Sequence, residues 1–554
     1  MNEALHSLSS QRPILVIDDC PMYRTAAKGM LQKMGISASQ ILLAKDAYSA
    51  KQFCITNAIQ LVLCDYNLGE KTNGHQLLDE LIHNQALQPD CVVIIVTGDA
   101  SAEVVRGFAE LDADGYLVKP LNFKTLQERL PKFARRKRMI GNLLESYAKG
   151  DYQFTIEQAE ETINKAKELQ QSSLFLKARS LFKLGEYTEA RNILVSLRQG
   201  SEKVKVTMEM ARIAIAQKQY SLCESLLAPL EKDPINCAAA LELSAEQFIR
   251  RNSFVEGFEK ISASVSKSPK NIARQISKVH IAMAIFDIDS AVIAAESALQ
   301  RSRYSFRETI ELHQLNALLL LDKVHLTPPN SRMKLLMNVS RCCTGWRNQY
   351  TRDKYKAFEL LTLARANAIR GEISRARVYF TEYQAWLSDN EEYKPNSYEQ
   401  FELAKLYYLL NMPEQYKASI ESLLSNLRQS SETVNTLSLI RYIQQCSSKI
   451  EAFKLEAESN KVKALQSITQ GNFKLATQSM LKAVELNQAD SDACYRLLEC
   501  LTHAWPEGWS KKSVRELAIR CKELLFHEEI TNSVQHRKHC QTLANQLQLT
   551  ELTA

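Results

Sequence analysis

The chain has 554 residues, 45% of them hydrophobic and 24% charged, with a formal net charge of +7. That length is too great for one hydrophobic core and predicts several domain equivalents of ordinary soluble composition. The first twelve residues lack the apolar stretch of a signal peptide, and no apolar run approaches the ~20 residues that span a bilayer, so a cytoplasmic protein without membrane insertion is expected.

From residue 13 to 130, short β-branched runs alternate with helical stretches. Ile14–Ile17 is followed by an amphipathic segment, Met22–Met34, that stops at Gly35. Ile41–Ala44 precedes a helical stretch over Tyr48–Asn57. Leu61–Cys64 precedes one near Gln76–His83, and Val92–Val96 one near Glu103–Leu111. Gly115–Val118 precedes a last helix from Phe123. Five strands alternating with five helices predict a doubly wound α/β domain with helices on both faces.

In such a sheet, ligands bind beyond the carboxyl ends of the strands, where the strand order reverses. Asp18 and Asp19 follow the first strand, Asp65 the third, Thr97 the fourth and Lys119-Pro120 the fifth. Any one of these is ordinary at a strand end. Together they bring three carboxylates, a hydroxyl and an ammonium to one place, a set suited to magnesium-assisted phosphoryl transfer onto an aspartate. Residues 13–130 are also acidic, with ten Lys/Arg against fourteen Asp/Glu. The thirteen cysteines are scattered without a C-x-x-C pair, and read as small apolar core residues in a reducing compartment.

These residues resemble the receiver domain of two-component response regulators, of the flavodoxin-like fold, over its full length. The resemblance implies that Asp65 is the phosphoacceptor and that Mg²⁺ is held by Asp18, Asp19, Asp65 and the backbone carbonyl of Asn67. It implies that Thr97 and Lys119 bind the phosphoryl oxygens and that Thr97 and Tyr116 form the switch pair. It makes Pro120 a candidate cis-proline. Asn67 and Asp99 are placed beside the path of a hydrolytic water and are expected to tune dephosphorylation. One departure stands out. The loop Asn67–Gly74 has no proline, and its glycine lies nine residues past Asp65 rather than eight.

After Pro131, strand-like runs all but vanish and 3.6-residue periodicity dominates. The basic run Lys132–Arg138 reads either as a solvated helix face joining two domains or as a docking site for an acidic partner. A repeat follows. Gly150-Asp151-Tyr152, Gly185-Glu186-Tyr187, Lys218-Gln219-Tyr220, Asn252-Ser253-Phe254 and Phe286-Asp287-Ile288 recur every 33–35 residues. A small residue follows three positions after each of the last four: Ala190, Cys223, Gly257 and Ala291. The pattern resembles the tetratricopeptide repeat, with Pro234 and Pro269 where that family has its proline. It blurs after residue 300 and returns at Gly371-Glu372-Ile373 and Gly471-Asn472-Phe473.

The expected organisation is a receiver at 13–130, a basic helical linker at 131–145, repeats at 146–300, divergent helical repeats at 301–504 and a helical cap at 505–554. The fold class is therefore α/β followed by an all-α solenoid. The layout resembles accessory response regulators of the VieB type. That implies a sensor histidine kinase as phosphoryl donor, and a groove in the repeats that binds a kinase or another response regulator. A phosphorylation-dependent homodimer is a further expectation. No P-loop, H-E-x-x-H or G-x-S-x-G motif occurs, so no enzyme is expected beyond the receiver's own phosphorylation and dephosphorylation. The alternative output is nucleic-acid binding by the basic helical region. Mixed charge in segments such as Glu157–Glu161 and Lys165–Glu168 argues against it.

Overall fold

The computed structural model describes residues 12–548, apart from 70–71, 99–105, 108–109, 112, 166–168, 201, 329–330 and 528–533. It divides into two compact units. The first holds the chain up to Lys278 together with Ser297–Glu308, and the second holds Val279–Glu296 and the chain from Thr309 onward.

The first unit begins with five parallel strands: β1 (Ile14–Ile17), β2 (Ile41–Ala44), β3 (Leu61–Asp65), β4 (Val92–Thr97) and β5 (Gly115–Val118). Their order is β2-β1-β3-β4-β5. The helices around them are α1 (Pro21–Lys33), α2 (Ala47–Thr56), α3 (Gly74–His83) and α4 (Phe123–Met139). The expected helix near Glu103–Leu111 lies largely outside the described residues. Each strand is an apolar run because both faces of the sheet are covered. Side-chain alternation divides it into two cores. Ile14, Val16, Leu61, Leu63, Ile94 and Val96 pack with Ala27 and Leu31 of α1 and Leu126 and Leu130 of α4. Leu15, Ile17, Val62, Cys64, Val93 and Ile95 pack with Ala50 and Cys54 of α2 and Leu77 and Leu81 of α3. The last helix runs on through Pro131 to Met139.

Beyond α4, every described element is a helix or a short 3-10 turn. The chain turns between paired helices at the places where the sequence repeats. Gly150, Gly185, Lys218 and Asn252 in the first unit all have φ between 58° and 86°. So do Phe286, Gly371, Asn411 and Gly471 in the second, at 57° to 82°. A left-handed residue at this point ends one helix and lets the next fold back. The small residues after the turns sit at the helix contacts, with Ala190, Cys223 and Ala291 fully buried. At Gly257, a Cβ would fall 2.6 Å from Ile249 Cδ1 of the preceding helix.

The second unit carries a buried polar cluster that the periodicity gave no sign of. Asp322, Arg365, Glu402, Lys405 and Tyr442 come from four different helices, and all are less than 9% exposed. Arg365 is ion-paired with Asp322 and donates to both oxygens of Glu402 at 2.7 and 2.8 Å. Lys405 donates to Asp322 at 2.9 and 3.0 Å, and Tyr442 to the same carboxylate at 2.5 Å. Burial alone would raise the Asp322 pKa, but Lys405 and Arg365 outweigh it and hold the carboxyl below its ordinary range. No helix among the described residues is long and apolar enough to cross a membrane.

Candidate functional site

The sheet register sets the strand ends side by side. Ile17 pairs with Cys64, so Asp18 follows β1 where Asp65 ends β3. Asp65 in turn pairs with Val96, and Thr97 with Val118, which places Lys119 next to Thr97. The strand order reverses at this point, because β1 and β3 are neighbours while β2 lies outside β1. Local bonds fix each end. Tyr66 N donates to Val96 O at 3.0 Å and Lys119 N to Thr97 O at 2.7 Å. The Lys119-Pro120 peptide is cis.

Carboxylate oxygens of Asp18, Asp19 and Asp65 lie within 4.8 Å of one another. Asp18 and Asp65 are buried, at 5% and 6% exposure, while Asp19 is open to solvent. Lys119 Nζ bridges the buried pair, donating to Asp18 Oδ2 at 2.7 Å and to Asp65 Oδ2 at 2.9 Å. The other oxygen of Asp18 accepts from Cys20 N at 2.9 Å. Burial is the largest influence on Asp65 and pushes its carboxyl above the ordinary range; the Lys119 hydrogen bond pulls it back only in part. Lys119 itself is held above the usual lysine value, since the bonds to Asp18 and Asp65 outweigh its own burial.

Three carboxylates thus face one ammonium. The surplus of negative charge, carried by oxygen ligands alone, fits a hard divalent cation such as Mg²⁺. A magnesium bound here would neutralise charge on a phosphoryl group.

Thr97 is buried beneath the site, at 1% exposure. Tyr116 stands on the edge strand with 43% of its surface exposed. Asn67 lies in the loop after β3, its backbone N–H 3.4 Å from Asp65 Oδ1. Asp99 lies outside the described residues, as do Glu70 and Lys71 of the unusual loop. The loop ends at Gly74, where a Cβ would fall 1.8 Å from the carbonyl oxygen of Asp65. Glycine is therefore needed there, and Asn73 starts α3 with a reciprocal cap on Gln76.

Two neighbours of the site were not singled out in the sequence. The Tyr23 ring lies 4.3 Å from Lys119 Nζ, and Arg24 Nη1 donates to Asp18 O at 2.6 Å. Both belong to the first turn of α1, four to six residues past the acidic pair, and that spacing was the available signal.

The second surprise is where this domain meets the helices of its own unit. Arg307 makes a bidentate pair with Asp79 of α3, at 2.6 and 2.8 Å. Arg274, 1% exposed, joins Glu110 at 2.8 Å and Glu242 at 2.7 Å. Thr72 and Gln76 donate to the carbonyls of Tyr304 and Arg301, at 2.9 and 3.1 Å. Lys270 Nζ lies 5.8 Å from the ring centre of Tyr66, the residue after Asp65. The contact thus runs through α3, the loop after β3 and the connection between β4 and β5, where Arg106 Nη1 donates to Pro234 O at 3.0 Å and Asn271 donates to Glu110 at 2.9 Å.

Residues 14–131 match the family described as response regulator receiver domain. The chain is 32% identical over 133 residues to the transcriptional regulatory protein ZraR of Salmonella typhimurium, a match covering 24% of this chain and 29% of that one. It is 28% identical over 129 residues to the chemotaxis protein CheY-3 of Vibrio cholerae serotype O1, covering 23% of this chain and 96% of that one. A CheY-like receiver domain structure from Methanospirillum hungatei is 27% identical, with 24% of this chain and 100% of that one covered and a TM-score of 0.22. The chain therefore spans less than a third of the length of ZraR. Residues 14–131 are a receiver domain of the response regulator type, and an all-helical region follows it.

Proposed function

We propose that the chain is a phosphorelay regulator in which Asp65 takes a phosphoryl group from a phosphohistidine of a sensor kinase and thereby switches a helical, TPR-like region that binds another protein. The observation carrying this reading is the carboxylate triad within 4.8 Å, bridged by one lysine. An Asp65 oxygen forms the bond to phosphorus while the bond from phosphorus to the imidazole nitrogen breaks, and the imidazole takes up a proton. Lys119 neutralises one phosphoryl oxygen, and the Thr97 hydroxyl donates to another. Asp19, Asp65 and the Asn67 carbonyl would hold Mg²⁺ directly, with Asp18 acting through a bound water. Asn67 and Asp99 orient the water that later removes the phosphate.

The switch follows from the same groups. When Thr97 moves toward the phosphate, Tyr116 turns from its exposed position into the space vacated. The loop after β3 moves with Asp65, and through Tyr66, Thr72 and Gln76 it reaches Lys270, Tyr304 and Arg301 in the helices. The contact pattern supports an output passed directly into the helical region.

The test is labelling with acetyl phosphate, followed by phosphate-affinity electrophoresis. Wild-type protein shifts only with Mg²⁺ present, and Asp65→Asn does not shift at all. A label that persists in Asp65→Asn, or that forms equally with chelator, overturns the assignment.

A further inference from the structure

Three cavities of the second unit share walls. The first, about 60 Å³, exposes mainly Phe286, Leu326, Leu409, Ile450 and Phe453, with the buried cluster of Asp322, Arg365 and Lys405 in its wall and Lys449 Nζ 3.5 Å above the Phe286 ring. The second, about 250 Å³, shares His325, Leu326, Tyr408, Leu409 and Phe453 with it. The third, about 510 Å³, shares Arg332, Ile369, Glu485 and Gln488 with the second, and adds Arg370, Trp509 and Arg520. The shared residues make a single trench, apolar at one end and rich in guanidinium groups at the other.

Its charge is one-sided. Arg332, Arg365, Arg370, Arg520, Lys405 and Lys449 line it against the carboxylates of Asp322 and Glu485. Arg365 and Lys405 are spent on the buried cluster, and Arg370 pairs with Glu372 at 2.8 Å. Arg332 is held differently. It gives its Nε and both terminal nitrogens to the carbonyls of Thr327, Ile369 and His325, at 2.7, 3.0 and 3.3 Å. Those carbonyls lie at two helix C-termini, which fixes the guanidinium without neutralising it by a carboxylate. Burial alone lowers its pKa. His325 adds no charge, because burial pushes its imidazole down to about 4. Gly371 keeps the cationic end open, since a Cβ there would fall 2.6 Å from Gln488 Oε1 and 3.3 Å from Arg520 Nη1.

We infer that this trench docks an extended peptide segment of a partner protein, carrying an apolar side chain followed by aspartate or glutamate residues. The apolar side chain fills the end built from Phe286, Leu409 and Phe453. The acidic residues meet Arg332 and Arg520. The inference rests on the protein-binding reading of the helical region and names its partner's chemistry.

The experiment uses the full chain and a fluorescein-labelled peptide in which one tryptophan or leucine precedes a run of glutamates, read by anisotropy. The peptide binds the wild-type protein, and the same peptide with lysines for glutamates does not. Arg520→Glu, at an exposed position of the cationic end, weakens binding by about tenfold. Phe453→Ala weakens it further without changing its salt dependence. Failure of the acidic peptide to bind overturns the inference, as does equal binding of the lysine peptide or indifference to Arg520→Glu. Salt-sensitive binding of a labelled oligonucleotide in place of the peptide would reassign the trench to nucleic acid. Anisotropy is read before and after acetyl phosphate treatment, because the proposed switch acts on the helical region. Loss of peptide binding in both states with labelling intact removes the trench alone, and peptide binding without any labelling removes the receiver assignment alone.

Discussion

At the strand ends, Asp18, Asp19 and Asp65 face a single cation, Lys119. In the second unit, Asp322 and Glu402 face two, Arg365 and Lys405, with the Tyr442 hydroxyl as a further donor. Both clusters hold buried carboxylates drawn from distant parts of the chain. The first carries excess negative charge and opens to solvent through Asp19. The second is balanced and buried. A surplus of one sign at an open strand end calls for a cation or a reacting group to complete it. A set balanced in charge needs no further ion, although Arg365 Nε is left without a hydrogen-bond partner, and it serves to fix the helices that supply it.

If that contrast is right, removing one acid has opposite consequences at the two places. Asp322→Asn leaves Arg365 and Lys405 facing Glu402 alone, and should destabilise the second unit by roughly 3–5 kcal/mol in chemical unfolding. Asp18→Asn at the strand ends relieves repulsion and should leave the receiver's stability unchanged or raised in the absence of Mg²⁺. Equal losses at both places would abolish the distinction.

Glu399 sharpens the comparison, being a buried acid bonded to no cation. It accepts from the hydroxyls of Tyr383 and Tyr393 at 3.1 and 2.6 Å, and burial pushes its carboxyl up from 4.5 to about 7. Between those values the folded chain holds a proton that the unfolded chain has lost. The stabilisation is fully present below pH 4.5 and is lost as the pH rises through about 7, with a range of at most ~3 kcal/mol. Glu399→Gln should match wild type in acid and become the more stable of the two above pH 7. A difference in melting temperature that stays flat with pH would contradict this.

Magnesium supplies the next test. At a hundredfold excess over its dissociation constant, it should stabilise the receiver transition by about 2.7 kcal/mol. Asp19→Asn should remove most of that gain, and the transition of the second unit should not respond. A response of both transitions would mean that the ion binds without regard to the triad.

How much of this was legible in the sequence follows from where the signals lie. The receiver was readable because its chemistry sits at strand ends, where Asp18, Asp19, Asp65, Thr97 and Lys119 each follow an apolar run. The helical hairpins were readable at their turns, because Gly185, Asn252 and Gly471 take a left-handed conformation that few residue types favour. The buried cluster was not readable, since Asp322 and Tyr442 are 120 residues apart and charged residues on helices ordinarily face water. The one available clue was Asp322 itself, set directly after Leu318–Leu321 in an apolar run. The face through which the receiver meets the helices was not readable either. Asp79 and Arg307 look like any surface charges until the fold brings them together.

That face provides the smallest effect. The side chains of Arg307 and Asp79 are each 25% exposed, so solvent screens the pair despite its bidentate geometry. A double-mutant cycle over Asp79→Ala and Arg307→Ala should give a coupling of about 1 kcal/mol or less in unfolding. The coupling should change when Asp65 is phosphorylated, because α3 carries Asp79 and begins at Gly74, against the carbonyl of Asp65. Identical coupling with and without the phosphate would mean that this contact holds the receiver in place without reporting its state.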